Sequence, residues 1–156
     1  MTALISSASM TGSTFWRQSR DGDPLGLALH RRHYSRRRYA DGRDPALFVG
    51  PGEKLVLVAH DDDALFVWRK FIDASGQKGV NCAIFRNESP CVASEMIIDA
   101  ETWARDRWPG ERFYTYVNPR RIRSTNPGYC FKRAGWTTCG ETRGRRPLVV
   151  LEKVPS

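Results

Sequence analysis

The sequence predicts an α/β fold: a mixed, mostly antiparallel sheet with helices on both faces, in the order β-α-β-β-β-α-β-α-β-β. Three observations predict it. Residues 54–60 and 64–71 are two runs of β-branched and aromatic residues joined by the acidic turn Asp61, Asp62, Asp63, which reads as a hairpin. Within residues 94–108, Met96, Ile97, Ala100, Trp103, Ala104 and Trp108 recur at helical spacing. At the end of the chain a short helix stops at Gly135, and strands over 136–141 and 148–153 close a Gly-containing turn.

The remaining elements follow in order. Residues 14–18 read as a short first strand. A turn at 21–24 then brings Asp23 to the N-cap position and Pro24 to the first helical position of a helix through Leu25, Leu27 and Leu29. Residues 41–52 hold Gly and Pro breakers and read as a loop, and Gly76 and Gly79 frame a second turn. Residues 80–86 form the next strand, Pro109 and Gly110 end the central helix, and 112–117 form an aromatic-rich strand after it. Three consecutive antiparallel strands, a crossover helix and a parallel fourth strand give the mixed sheet. The 156 residues fit one domain, 1–156, with 1–12 a poorly ordered tail.

Composition narrows the classes. No apolar run approaches 18 residues, so no membrane span and no membrane partner are expected, and the opening residues lack the charge and length of a secretory signal. Cys82, Cys91, Cys130 and Cys139 show no CxxC spacing and read as buried thiols of a cytoplasmic protein. The net charge of +8 comes from 20 Arg and only 5 Lys. The Arg residues cluster at Arg31, Arg32, Arg36, Arg37 and Arg38, at Arg120, Arg121 and Arg123, and at Arg143, Arg145 and Arg146. Guanidinium forks suit phosphates, and the interleaved Tyr34 and Tyr39 offer stacking on bases, so nucleic acid or another polyanion is the expected partner, against a merely solvated basic face. His30 and His33 are spaced i, i+3, but no third ligand accompanies them, so no metal is expected.

The closing segment, from Ser124 through Asn126, Pro127, Gly128, Tyr129, Phe131 and Gly135 to Trp136, together with the element order over residues 14–153, resembles the GNAT acyltransferases. The resemblance implies an acyl-CoA donor such as acetyl-CoA. Its pantetheine arm would lie along residues 83–86, including Phe85 and Arg86, where the strand before the central helix splays from the next. Its pyrophosphate would sit over 87–94, including Asn87, Ser89 and Ser94, at a helix N-terminus that favours anions. The spaced glycines of the family are absent there. The competing reading is a plain loop with Ser89 or Ser94 as helix cap. Where the family often places a general-acid Tyr, four residues before the Gly, this chain has Phe131, which cannot donate a proton. Tyr129 is then the candidate acid, and Asn126 is either a helix cap or a donor ligand.

The segment after the first helix is where GNAT proteins recognise the acceptor. His33 and Tyr34 can orient or deprotonate an amine there, or stack on a base. The motifs His33-Tyr34-Ser35, Phe85-Arg86-Asn87 and Asn126-Pro127-Gly128-Tyr129 resemble the Mom-like phage proteins that modify adenine in DNA. This resemblance implies transfer to the exocyclic amine of adenine in duplex DNA, giving a carbamoylmethyl-type adduct that protects phage DNA from restriction. The base would be flipped out of the stack, with Arg31, Arg32, Ser35, Arg36, Arg37, Arg38, Arg120, Arg121 and Arg123 on the backbone. Two alternatives stand beside it: an N-acetyltransferase of a small or peptide amine, and a non-catalytic GNAT-shaped DNA-binding module. The exposed final hairpin suggests a homodimer.

Overall fold

The structure, a computed structural model, describes residues 13–32, 47, 49–72, 76–120, 126 and 128–155. The expected element order is present: β1 (Trp16–Ser19), α1 (Pro24–Arg31), β2 (Glu53–Ala59), β3 (Ala64–Lys70), β4 (Val80–Asn87), α2 (Ala93–Arg107), β5 (Phe113–Val117), α3 (Tyr129–Arg133), β6 (Thr137–Glu141) and β7 (Val149–Lys153). The strands form one seven-stranded sheet in the order β1-β2-β3-β4-β5-β7-β6. Every neighbouring pair is antiparallel except β4 and β5, which are parallel and joined by the α2 crossover.

Local chemistry sets the elements. Asp23 caps α1 through its carboxylate, which accepts from the amides of Leu25 and Gly26, and Pro24 fills the first helical position, where no amide is needed. Asp62 takes a left-handed φ of 60° in the turn between β2 and β3, a conformation Asp tolerates better than most residues. α2 lays Met96, Ile97, Ala100, Trp103 and Ala104 on one sheet face. There the indoles of Trp16 and Trp68 donate to the Met96 and Ala100 carbonyls at 2.8 and 3.0 Å. α3 covers the same face with Phe131, while α1 covers the other with Leu29 above Val56, Val58, Leu65 and Val67. Burying an indole removes on the order of 200 Å² from water, about 5 kcal/mol by area as an upper bound, so Trp16, Trp68 and Trp136 dominate the larger core.

Three expectations change. The last helix begins later than a cap at Asn126 would place it: it starts at Tyr129, and Gly128, at φ 76°, is its N-cap residue. The left-handed φ favours glycine at position 128, and a Cβ there would also stand 2.3 Å from Leu151 Cδ1, which would have to move. Asn126 is therefore not the helix cap. The cysteines are not uniformly buried: Cys82 is, but Cys91 lies on the loop before α2 and Cys139 on the sheet-edge strand β6, both exposed. β1 starts later than expected because the Phe15 amide donates to Asp99 of α2, at 3.0 Å.

Candidate functional site

β4 and β5 pair over three positions only, Val80 with Phe113, Asn81 with Tyr114 and Cys82 with Thr115. The pairing starts at a close approach. The Val80 amide donates to the Arg112 carbonyl at 2.8 Å, and a Cβ at Gly79 would stand 2.2 Å from that same oxygen. It ends at Thr115, whose hydroxyl donates to the Cys82 carbonyl at 2.9 Å. At the next residue the register between β3 and β4 slips, Val67 facing Ile84 and Trp68 facing Cys82, so Ala83 is the extra residue of a β-bulge on β4. A bulge bends its strand and increases its twist. Beyond it β4 stays with β3 as far as Asn87, and β5 stays with β7 as far as Val117. A wedge-shaped gap therefore opens between the C-terminal ends of β4 and β5, with the β4 backbone over residues 83–87 unpaired on the β5 side.

The floor and rim of this gap hold most of the described candidates. Phe85 points into the larger core and meets Phe131 of α3 edge-on at 6.1 Å, so these two rings join β4 to α3 across the gap. Phe131 is 6% exposed and stacks edge-on against Trp136 at 4.9 Å, while Tyr129 is 53% exposed on the first turn of α3. Between them, Cys130 is partly buried. Burial pushes its thiol up from the ordinary range, and the Cys82 thiol is pushed up further by complete burial, with Cys130 a smaller contributor. Asn126 is exposed; its Oδ1 accepts from Lys132 Nζ at 2.6 Å, and its carbonyl from the Tyr129 amide.

At the mouth, Asn87 organises the loop into α2. Its Oδ1 accepts from the Ser89 amide at 2.9 Å, and its Nδ2 donates to the Cys91 carbonyl at 3.1 Å. Ser89 Oγ accepts from the Cys91 amide. Neither Ser89 nor Ser94 caps α2: the N-cap residue is Val92, with no side-chain cap bond, and Ser94 is already inside the first turn. That turn thus presents amides that no capping side chain occupies. Beside it stands Glu88, which accepts from Arg32 Nε and Nη2 at 2.6 and 2.9 Å and from Arg86 Nε at 3.0 Å. These bonds, that from Arg32 foremost, hold its carboxyl below the usual range.

α3 is fixed from behind by a buried carboxylate. Glu101, fully buried on α2, accepts from Trp136 Nε1 at 2.9 Å and pairs with Lys153 at 2.7 Å and Arg105 at 3.2 Å. Lys153 also donates to the Ala134 carbonyl at the C-terminal end of α3, at 2.9 Å.

Charge divides the mouth. Asp61, Asp62 and Asp63 lie on the β1 side, where Asp62 pairs with Arg17. Arg120 follows the open end of β5, and Arg143, Arg145 and Arg146 lie in the turn between β6 and β7 at the same end, since Val117 and Glu141 both pair with Val149. Arg31 closes α1, and Arg32 follows it to reach Glu88. His33, Tyr34, Ser35, Arg36, Arg37, Arg38, Arg121 and Arg123 lie outside the described residues. Sequence reasoning did not single out the Ala83 bulge, Glu88 or Glu101. Glu88 carried one signal, a carboxylate inside a loop otherwise suited to phosphate.

No protein-family model matches the chain, and no curated protein matches it. A crystal structure of an acyl-CoA N-acyltransferase from Pseudomonas aeruginosa aligns with 90% of this chain and 100% of its own, at TM-score 0.58 and 12% sequence identity. The chain has a GNAT-like fold. At that identity the likeness is one of architecture, and the roles of individual residues rest on this chain's own geometry.

Proposed function

We propose that this protein is an acyl-CoA-dependent N-acyltransferase whose donor lies along the unpaired edge of β4 and whose acceptor is an amine carried on DNA, the exocyclic amine of adenine. The observation that carries the reading is the gap itself. Five residues of β4 backbone face no strand on the β5 side, and an extended amide-containing chain such as pantetheine can pair there as an added strand.

The residues present fit the donor in two places and oppose it in one. The edge of β4 suits the pantetheine amides, and the uncapped first turn of α2, with Arg86 beside it, suits the pyrophosphate. Glu88 opposes it, placing a negative charge next to those phosphates. Bound acyl-CoA supplies an activated acyl group as a thioester. The chain's own part is to hold the reacting groups in line and to manage protons. Phe85 and Phe131 form an apolar floor that excludes water. Tyr129, exposed on the first turn of α3, is the proton donor to the departing thiolate, in place of Phe131. Asn126 orients the donor, and His33 with Tyr34 receives the acceptor amine.

The DNA acceptor is supported by the Arg residues on one side of the mouth and by the motifs that resemble those of the Mom-like proteins; acyl transfer from a thioester gives an N-acyl adenine, and a carbamoylmethyl adduct would need a further nitrogen that this donor does not supply. A second reading, acetylation of a small or peptide amine, is favoured by the acidic turn Asp61–Asp63 at the same end of the sheet, which attracts a cationic amine. Mass spectrometry of nucleosides from plasmid DNA of expressing cells tests the first. A new adenine adduct is expected, and canonical nucleosides from a well-expressing strain would remove the DNA acceptor. Titration of the purified chain with acetyl-CoA tests the donor half alone.

A further inference from the structure

Arginines that lie far apart in sequence meet in the fold: Arg120 reaches the turn that carries Arg143, Arg145 and Arg146. Arg120, two residues into the turn after β5, donates from Nη1 to the Pro147 carbonyl at 3.1 Å, across 27 positions of sequence. The Asn118 side chain shapes that turn by accepting from the Arg120 amide at 3.1 Å. On the facing side, the Thr142 amide donates to the Leu148 carbonyl at 2.9 Å and the Leu148 amide to Thr142 Oγ1 at 2.8 Å. These two bonds close the neck of the turn that carries Arg143, Arg145 and Arg146.

We propose that Arg120, Arg143, Arg145 and Arg146 form one docking platform for the phosphate backbone of a nucleic acid, beside the open end of the gap. The proposal rests on the acceptor reading above and deepens it. It assigns a role to the turn between β6 and β7, which the motif resemblance leaves without one. All four side chains belong to exposed residues. Among the described residues, none of the four has a carboxylate within ion-pair distance, whereas Arg17, Arg32, Arg86, Arg105 and Arg112 all do. Glu141, the nearest carboxylate in sequence, pairs with none of them. Four unneutralised guanidiniums close together repel one another, and an arriving polyanion relieves that repulsion.

The chemistry favours a nucleic acid over a lipid surface. Residues 142–147 are Thr, Arg, Gly, Arg, Arg and Pro, with no aromatic or large aliphatic side chain to enter a bilayer. Arg rather than Lys throughout suits forked bonding to phosphate oxygens. The closed neck and the Arg120 bond hold the platform to the sheet. Phosphates gripped there would lie beside the gap rather than in it. Contacts of this kind position the nucleic acid without reading its sequence.

Fluorescence anisotropy of the full-length chain with a labelled 20-base-pair duplex, across a range of salt, tests the platform. The variant Arg143→Ala/Arg145→Ala/Arg146→Ala changes exposed turn residues only, and its thermal midpoint should match the wild type. Affinity at 0.1 M salt should fall at least about 30-fold, and the slope of log K against log salt should shrink by about 2 to 3, near 0.9 per lost contact. The triple Lys variant should keep most of the slope. An unchanged slope in the Ala variant overturns the proposal, as does a wild type that does not bind the duplex. Acetyl-CoA titration of the same variant separates the sources of phosphate. Unchanged donor affinity is expected, and a loss there with duplex binding intact would assign the platform to the donor instead. Binding to phosphatidylserine vesicles in preference to duplex would also overturn it. The donor reading is tested separately by wild-type acetyl-CoA binding, so either can fail alone.

Discussion

Arg32 and Glu88 form a two-pronged ion pair, 2.6 and 2.9 Å long, that ties the end of α1 to the loop leading into α2. Arg86 shares the same carboxylate. Glu88 thus occupies two guanidiniums beside the helix terminus that the donor's phosphates would approach. As an exposed pair it contributes little to stability, so its effect falls on binding.

Glu88→Gln should therefore tighten acetyl-CoA binding about fivefold, the worth of one screened charge at a few ångströms, and the gain should fade in 0.5 M salt. Arg86→Ala should weaken it. Because Arg32 holds the Glu88 carboxyl below the usual range, the carboxylate persists under mild acid and the difference between wild type and Glu88→Gln should survive at pH 5. Isothermal titration at two salt concentrations, and at pH 7 and pH 5, measures all of this; equal affinities for wild type and Glu88→Gln would place the phosphates elsewhere.

Tyr129 is exposed on the first turn of α3, whereas Phe131, two residues on, is buried in the core. Removing the Tyr129 hydroxyl leaves the packing of α3 intact, since the ring is half exposed. Tyr129→Phe should lower kcat by about 100-fold, the size of one general-acid contribution, with KM for acetyl-CoA and the thermal midpoint nearly unchanged. A kcat within twofold of wild type would exclude Tyr129 as the acid.

The sequence displayed what local chemistry decides. Asp23 and Pro24 announce α1, the apolar spacing of Met96 to Ala104 announces α2, and two β-branched runs announce β2 and β3. It hid what long-range pairing decides. The bulge at Ala83 exists only as a mismatch between two strands, and Arg32 meets Glu88 from 56 residues away. Cys139 resembles Cys82 as a strand thiol, but one lies on an edge strand and the other in the middle of the sheet. The meeting of Arg120 with the turn between β6 and β7 likewise depends on β5 pairing with β7 rather than with its sequence neighbour β6.

Glu101 and Lys153 hold α3 in place from behind, and their loss should be costly. Lys153→Met leaves a fully buried carboxylate with Arg105 as its remaining cationic partner. The expected destabilisation is about 3 kcal/mol, the low end for breaking a buried pair. Adding Glu101→Leu should recover more than half of it, because no buried charge is then stranded; the Trp136 indole still loses its acceptor, at about 1 kcal/mol. Urea unfolding of the two single variants and the double gives the coupling. Strict additivity would mean that the pair does not act as a unit.

The thiols predict an alkaline limit to stability. Cys82 is fully buried, which favours the neutral thiol in the folded chain, while an unfolded thiol ionises near pH 8.5. A raised folded pKa means stability that is fully present below the unfolded value and is lost as pH climbs above it. From pH 8.5 to 10 the Cys82 contribution should fall by about 1.4 kcal/mol per unit at the steepest, and Cys130 adds a smaller loss of the same sign. Cys82→Ala should cost about 1 kcal/mol at pH 7 yet show a flatter decline above pH 9, so the two curves converge. Tyr and Lys titrations are common to both proteins and cancel in the difference. Thiol labelling supplies the matching kinetic result: Cys91 and Cys139 should react with a disulfide reagent first, Cys130 slowly, and Cys82 only on unfolding. Parallel stability curves for wild type and Cys82→Ala up to pH 10 would show that Cys82 does not set the limit.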